Sequence, residues 1–570
     1  VENLGKESMS FMDPRQGVAS ISGSSIFCAI AGLFARHWGL SALLLILLTL
    51  TAYSPAMRGE FIWDDELYAA TPILDQPDGL RRIWTLQPPY EHYYYEFPVV
   101  YTSFWLERHL WGLAPAGYHL VNIVLHILNA LLVWFLLRQL GLRFAWLAAA
   151  LFALHPVHVE SVAWISERKN VLSGVFYLLT LICYLRFEDS GRRRWYLGAL
   201  GLFLLSLLSK PVTFTLPIIL LLLRWRRGLN IRPRELVNLL PFFLFSIVLV
   251  LYTMFFEVRT LGAEGHLHLL QRILLAGRAV WFYPLKLAWP VNLAFSYERW
   301  TLDVHSTGEW LWVLGVFGAG AYFWSVRRRL GRNFFAGLWF YLITIGPLLG
   351  FVSNYTFQYS YVADHYQYLS SLGLLAIAVG GFTRLIEGNS RISGPAGEPS
   401  PGRTAMLLGL VVLPLLWVGT WRQSGIYKNS ELVWTDTIKK NPASWLAHNN
   451  LGMLLMDKGR LAEAVAQFKE AARDKPDLAE AYGNCGLALV KQHKPGEAII
   501  FYQEALRIRP GYSKAAAALV GIYNNMGIES ANAGRLDESV RNFSMALKIS
   551  PTDMNVRKNL DIVLGIKGAP

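Results

Sequence analysis

"FALHPVHVESVAWISERKN", residues 152–170, sets two histidines, two glutamates, an arginine and a lysine behind an apolar run. A second apolar run, "VLSGVFYLLTLICYL" (171–185), follows at once. Ionisable side chains near a bilayer are expensive, and where they occur they line a site or pair with one another. How this stretch reads decides between a membrane domain with a polar working face and a soluble domain with a buried polar cluster.

Composition favours the first. Of 570 residues, 54% are hydrophobic and 16% charged, against about 25% charged in a typical soluble domain, and mean hydropathy is +0.32. The excess sits in runs such as "LSALLLILLTLTAY" (40–53), "LVNIVLHILNALLVWFLL" (120–137) and "MLLGLVVLPLLWVGTW" (406–421). Runs near this length are transmembrane candidates. Beyond about residue 422 they stop, so a polytopic membrane domain is expected over 39–421 and a soluble domain over 422–570. Residues 1–38 are expected to form an N-terminal segment that either lies along the interface or extends the first span.

The net charge of +13 does not point to nucleic acid. Its basic clusters, "GRRRW" (191–195), "RWRRG" (224–228) and "SVRRRLGR" (325–332), flank apolar runs, as the positive-inside rule requires. Spans are expected near 39–55, 119–138, 143–155, 170–187, 196–209, 212–224, 237–256, 309–326, 333–351, 366–383 and 405–421, eleven in all. Segment 272–289, with Arg272, Arg278 and Lys286 among apolar residues, reads as a membrane-dipping element. With the N-terminus in the cytoplasm, all three basic clusters fall inside. The Gly/Pro/Ser-rich linker 387–403 is then cytoplasmic, and the C-terminal domain lies outside. Loops 56–118 and 257–308 and segments 155–169 and 352–365 share the outer face and hold most of the unusual polar residues.

The soluble part repeats itself. Gly452 and Gly486 are 34 residues apart, as are Pro476 and Pro510. Leu451, Gly452, Ala464, Phe468 and Ala471 recur as Cys485, Gly486, Ala498, Tyr502 and Ala505. A third unit has Gly527, Phe543, Ala546 and Pro551, with seven extra residues. This period and pattern predict a tetratricopeptide α-solenoid of three repeats, capped by a helix over 554–566. Such an array offers either a groove for protein partners or a packing platform. Cys28, Cys183 and Cys485 are too widely spaced for a disulfide framework or a metal pair.

Candidate chemistry lies in the outer segments. "GEFIWDDELYA" (59–69) sets Asp64 beside Asp65 among aromatics, which suits a general base whose pKa the surroundings raise. The alternative is an interfacial loop with an aromatic anchor and a solvated acidic patch. The tyrosine-dense "PPYEHYYYEFPVVYTSFW" (88–105) suits sugar stacking or a membrane interface alike. In "HPVHVE", His155 and His158 invite a zinc reading, but Pro156 interrupts the helix and no third ligand has a fixed spacing, so no metal site is expected. A helix over "ESVAWISERKN" would put Glu160, Trp164, Glu167 and Arg168 on one face, with Arg168 and Lys169 able to meet a phosphate. The alternative is a polar loop whose charges pair internally. "SNYTFQYSYVADHYQYLSSLG" (353–373) adds Asp364 and His365 amid tyrosines, and Lys210, Arg278, Lys286 and Arg299 add cations for an anionic head group.

"FALHPVHVESVAWISERKNVLS", "LLSKPVTFTLPIILLLL", "PLKLAWPVNLAFSYERW" and "YSYVADHYQYLSSLG", joined to the repeats, resemble the transmembrane O-mannosyltransferases with tetratricopeptide repeats. The short repeat array is most similar to that of their bacterial relatives. The resemblance implies a GT-C glycosyltransferase fold in an all-α chain and a bacterial inner-membrane location. It also implies transfer of mannose or a related hexose from a polyprenyl-phosphate co-substrate to a Ser/Thr hydroxyl of an extracytoplasmic protein, with inversion and without a metal or further cofactor. It carries the family's acidic pair onto Asp64 and Asp65, its His-Pro-x-His-x-Glu motif onto His155, His158 and Glu160, and its later loop onto Asp364, His365 and Tyr366. Arg168, Lys169, Arg278 and Lys286 are expected to serve the donor phosphate. One departure stands out: relatives tend to carry Arg before the proline of the Tyr-rich loop, and here Phe97 precedes Pro98. That departure keeps open an inactive scaffold recruiting partners through its repeats. A transporter fits less well, because the polar residues gather at one face.

Overall fold

The computed structural model describes residues 38–85, 97–260, 267–352, 355–390 and 401–568. The N-terminal segment 1–37, the first half of the Tyr-rich stretch (88–96) and the centre of the 387–403 linker lie outside the described residues. Among the described residues the chain is all helix and turn, with no strand.

The helices are α1 (Trp38–Ala52), α2 (Asp65–Ala69), α3 (Gly79–Thr85), α4 (Pro98–Trp111), α5 (Pro115–Gln139), α6 (Ala145–Ala153), α7 (Val159–Ala163), α8 (Arg168–Ser190), α9 (Arg193–Ser209), α10 (Leu216–Arg226), α11 (Pro233–Thr260), α12 (Leu269–Ala288), α13 (Thr307–Ser325), α14 (Arg327–Ile345), α15 (Ser371–Ser390) and α16 (Pro401–Ile426). Every apolar segment expected to span is helical. Among the described residues three are long and apolar enough to cross a membrane: Pro115–Gln139, Ile165–Ser190 and Pro233–Met254. A fourth candidate, Ala145–Ala153 with Pro156–Ala163, is bent by 54°. The expected eleven are therefore not all full-length spans. Helices α9 and α10 have only 17 and 11 residues, and α14 is broken at Gly331, whose φ of 72° is left-handed.

The bend falls at His155–Pro156. The residue before proline is pushed into extended backbone, and His155 has ψ 126°. A second break, at Trp164 with ψ 117°, divides α7 from the short turn Ile165–Glu167. The expected continuous helix over 160–170 is thus interrupted, and Glu160 and Glu167 do not share a helical face. Breaks free backbone carbonyls that lipid cannot satisfy. Helix α5 meets them with a polar stripe at helical spacing. Asn122 Nδ2 donates to Val162 O and Trp164 O, both at 3.2 Å, and Asn129 Nδ2 donates to Val171 O at 2.7 Å. His126 Nε2 donates to Ala153 O at 3.1 Å while its Nδ1 accepts from Tyr368 Oη at 2.8 Å.

The C-terminal part continues with α17 (Ser430–Lys440), α18 (Trp445–Asp457), α19 (Leu461–Asp474), α20 (Ala479–Lys491), α21 (Pro495–Ile508), α22 (Ser513–Asn532), α23 (Leu536–Ile549) and α24 (Met554–Gly568). Helices α18/α19, α20/α21 and α22/α23 pair, and α24 packs on the last pair. The seven extra residues of the third unit lengthen α22 to 20 residues, against 13 in α18 and α20. Close approach sets the glycine pattern. A Cβ on Gly452, Gly486 or Gly527 would stand 2.7, 2.9 or 2.6 Å from the ring of Phe468, Tyr502 or Phe543.

The array is seated on the loops after α1 and α12. Lys440 Nζ donates to Leu293 O at 2.6 Å, and Asn441 Nδ2 to Ser296 O at 3.2 Å. Trp434 meets Trp63 and Phe295 with ring centroids 5.8 and 5.3 Å apart.

Candidate functional site

Trp63 marks the site. Its φ is 47°, a conformation that a bulky side chain adopts only where its surroundings hold it. Four rings do so. Trp164 stacks on it at 5.6 Å, and Phe295, Tyr359 and Trp434 pack edge-on at 5.2, 6.0 and 5.8 Å. The strained turn ties the first loop, the 152–170 stretch, two later loops and the repeat domain together at one point.

The turn aims the acidic pair in two directions. Asp65 is fully buried. Its Oδ2 accepts from Ile62 N at 3.0 Å and its Oδ1 from Ser166 N at 2.7 Å, so it clamps the first loop to the break before α8. Burial and the neighbouring Asp64 push its carboxyl well up. Asp64 is half-buried, and its Oδ1 accepts from Ser166 Oγ at 2.8 Å and Trp164 Nε1 at 3.1 Å. Burial raises its pKa to about 6, with Lys169 opposing the rise.

Beside this turn lies a cavity of about 250 Å³. Its walls divide by chemistry. Val212, Phe214, Val250, Met254, Leu348 and Val352 form an apolar side; Glu160, Glu167, Lys169, Lys210, His365 and Tyr366 form a polar side. Leu446, from the first repeat helix, closes one edge. Glu167 organises the polar side. Lys169 Nζ lies 2.8 Å from its Oε1, and Lys210 Nζ 3.7 Å from its Oε2. Glu160 Oε2 accepts from the His365 backbone N–H at 2.9 Å, and Glu160 Oε1 lies 3.2 Å from His365 Nδ1. Lys210 Nζ also donates to Asn170 Oδ1, and burial pushes its ammonium down to about 8 against the pull of Glu167. The Tyr366 hydroxyl meets Thr356 Oγ1 at 2.5 Å. Ser296 Oγ, buried on the cavity wall, has no hydrogen-bond partner among the described residues. A buried hydroxyl left so costs about 1–3 kcal/mol unless a ligand meets it.

The structure sorts the expected site residues into two groups. Glu160, Lys169, His365 and Tyr366 line the cavity, and Asp64 stands just behind its Trp63–Trp164 wall. The others are engaged elsewhere. Arg168 is wholly buried: it forms a two-pronged ion pair with Glu107 and donates further to Asn122, to Ser103 at 3.1 Å and to Tyr118 O at 3.0 Å. It braces α4, α5 and α8 and is not available to a phosphate. His155 Nε2 donates to Leu287 O at 2.8 Å, and His158 lies 2.7 Å from Phe152 O and 3.0 Å from Ser371 Oγ, so both imidazoles tie helices together. Asp364 accepts from Tyr297 Oη at 3.0 Å through both oxygens. Lys286 Nζ donates to Val291 O at 2.8 Å and Asn292 O at 3.1 Å, fixing the loop that carries Ser296. Arg278 stacks 4.3 Å from the Trp300 centroid and lies 3.5 Å from Glu309.

Lys210, expected among the cations for an anionic head group, and Glu167 line the cavity as well, and Ser296 joins it without having been singled out from the sequence. The signal for Lys210 is visible in "LLSKPV", a lone cation between apolar runs. Phe97, where relatives of the resembled family tend to carry arginine, lies on the cavity wall with its ring 5.8 Å from Lys169 Nζ. Among the described residues no group of three or more His, Cys, Asp or Glu side chains could hold a metal ion.

Comparison with known proteins bears out the resemblance. The tetratricopeptide repeat family profile matches residues 424–479 and 449–513. A protein O-mannosyl-transferase of Caenorhabditis elegans is 25% identical over 457 residues, covering 76% of this chain and 62% of its own length. A human protein O-mannosyl-transferase is 24% identical over 512 residues, covering 74% of this chain and 64% of its own. A mouse protein O-mannosyl-transferase is 34% identical over 157 residues, 24% of this chain and 16% of its own length. The chain thus spans less than two thirds of the length of these curated relatives.

Proposed function

We propose that this chain is an integral-membrane O-glycosyltransferase of GT-C type. It transfers mannose or a related hexose from a polyprenyl-phosphate donor to a Ser/Thr hydroxyl of an extracytoplasmic protein. The observation that carries the reading is the two-sided cavity: an apolar wall for a prenyl chain beside two lysines and a histidine for its phosphate. The names of the relatives supply the reaction class and the sugar.

In this reading Asp64 takes the proton of the acceptor hydroxyl. The hydroxyl oxygen forms its bond to the anomeric carbon, and the bond from that carbon to the phosphate oxygen breaks. The lipid phosphate leaves with the electron pair, and direct displacement inverts the anomeric centre. Lys169, Lys210 and His365 meet the charge that develops on the phosphate. With two lysines and a histidine N–H donor in place, the step is written without a metal. Ser296 Oγ and Glu160 Oε1 are placed to hold sugar hydroxyls. Asp65 positions Asp64 and does not react. The repeat domain, whose Leu446 forms one cavity edge, presents the protein acceptor.

The chain is proposed to sit in a bacterial inner membrane with its N-terminus inside and its repeats outside. The helices that fall short of full spans then complete an eleven-segment domain as short or bent crossings.

The test is glycopeptide mass spectrometry on envelope and secreted proteins of the host. Wild type, a deletion strain, and the deletion carrying Asp64→Asn are compared. The expected result is a hexose mass that vanishes in the deletion and is not restored by the variant. Unchanged glycan masses, or full rescue by Asp64→Asn, would leave the chain as a scaffold working through its repeats.

A further inference from the structure

A second and larger cavity, of about 550 Å³, lies between α5, α8, α10, α14 and α15. It occupies the opposite end of the helix bundle. Helix α8 brings Lys169 to the first cavity and Leu181 to the second, twelve residues apart and so about 18 Å along the axis. The segment 212–226 likewise sends Val212 and Phe214 to the first cavity, and Leu223 and Arg226 to the second.

The chemistry of the two cavities differs. The second has a deep apolar wall of Leu136, Leu181, Leu223, Phe340 and Ile377. Its polar residues are Asn333 and three arginines, Arg226, Arg329 and Arg384, from three different helices. Among the described residues no aspartate or glutamate lines it. Nearby Arg224 and Arg227 are neutralised by Glu188; among the described residues no carboxylate pairs with the three arginines of the cavity. Arg226 and Arg384 each donate one N–H to a backbone carbonyl, of Leu140 and Leu330. That fixes the direction of each guanidinium while most of its five donors remain. A volume in the range of small-ligand sites (about 300–1,000 Å³), apolar at depth and purely cationic at the mouth, suits a ligand with one anionic group on a hydrocarbon body.

We propose that this cavity is a binding site for a bilayer phospholipid with an anionic headgroup. Its phosphate lies among Arg226, Arg329 and Arg384, and an acyl chain lies along Leu181 and Phe340. The polar side of the first cavity, with carboxylates and an unpartnered hydroxyl, has no counterpart here, so the site holds an intact lipid and not a sugar donor. The bound lipid would brace the ends of the helices whose other ends carry the first cavity.

The experiment uses the full chain, purified in detergent, delipidated and observed by native mass spectrometry. The probes are dioleoyl phosphatidylglycerol, dioleoyl phosphatidylcholine and a polyprenyl monophosphate. Wild type is expected to hold one phosphatidylglycerol at least tenfold more tightly than phosphatidylcholine. Gly381→Phe fills the cavity from a position where a Cβ meets nothing within 4 Å; it and the double variant Arg329→Gln/Arg384→Gln should each weaken phosphatidylglycerol binding tenfold or more. Neither should change binding of the polyprenyl phosphate. Equal retention of the two phospholipids, wild-type binding in both variants, or loss of polyprenyl phosphate in Gly381→Phe would each overturn the proposal. Should a variant fail to fold, the wild type decides: its melting temperature should rise with phosphatidylglycerol and not with phosphatidylcholine, and an equal rise refutes the site.

Discussion

Asp64 and Asp65 are adjacent, yet their environments assign them separable losses. In Asp64→Asn the retained Oδ1 still accepts from Ser166 Oγ and Trp164 Nε1, the two bonds it makes now at 2.8 and 3.1 Å. The fold should be unaffected, and only the ability to take a proton is removed. General-base catalysis contributes about 10²–10⁴-fold, so transfer should fall by about that factor with donor affinity nearly unchanged. Asp65→Asn acts in the opposite sense. Both of its oxygens accept from backbone N–H groups, of Ile62 and Ser166. Asparagine has one acceptor oxygen, so its amide N–H₂ must face one of those N–H groups in a fully buried site. One unsatisfied buried donor costs about 1–3 kcal/mol, and the expected signature is a melting temperature lower by several degrees. The assay is a thermal melt of each purified variant beside hexose transfer from a synthetic polyprenyl-phosphate donor to a Ser/Thr peptide. More than a tenth of wild-type transfer in Asp64→Asn, or a wild-type melt in Asp65→Asn, refutes this division of roles.

The same geometry bears on pH and on three other positions. With the Asp64 carboxyl raised to about 6, its base form is lost below that pH; with the Lys210 ammonium lowered to about 8, its charge is lost above it. The pH profile of kcat/KM should therefore be a bell with limbs near those values, and a flat profile from pH 5 to 9 would remove both groups from the reaction. Lys210→Met should lower kcat by about 10²-fold, the scale of losing one donor to a developing anion, and a change confined to KM would contradict that role. Arg168→Met leaves Glu107 charged and buried, which costs about 3–5 kcal/mol. Adding Glu107→Leu should restore much of that stability, and melts of the single and double variants that coincide would disprove the pairing. Gly486→Ala pushes a methyl into the Tyr502 ring, an overpacking worth about 1–3 kcal/mol; limited proteolysis should then cut the repeat domain faster than wild type.

Local patterns were legible in the sequence, and long-range partners were not. Apolar runs become helices because spacing and composition act within one turn. The 34-residue period becomes helix pairs for the same reason, and the seven-residue insertion reappears as the longer α22. The break at Trp164 was not legible, because "ESVAWISERKN" carries no proline or glycine. Its extended backbone is held by Asn122, forty-two residues away, through the Trp164 carbonyl. Nor does the strained Trp63 announce itself, since its φ is fixed by rings from four other segments.

Arg168 and Lys169 show why the charges at the outer face divide as they do. A helix turns about 100° per residue, so neighbours at its first turn point into different surroundings. Arg168 turns inward to Glu107 on α4, a partner sixty-one residues earlier that no local pattern links to it. Its planar, permanently charged fork suits a two-pronged buried ion pair, and Ser103, Asn122 and the Tyr118 carbonyl complete its bonds. Lys169 turns to the cavity, where Glu167 holds its ammonium at 2.8 Å over the rings of Phe97 and Trp164. The arginine that looks best suited to a phosphate is therefore the one that shapes the site, and the lysine beside it is the one that faces the ligand. Exchanging their chemistry tests the division. Lys169→Arg should keep part of the activity, because the cavity needs a cation there. Arg168→Lys should cost stability first, because an ammonium cannot reproduce the fork to Glu107; a stable, fully active Arg168→Lys would mean that the buried pair does not brace the outer face.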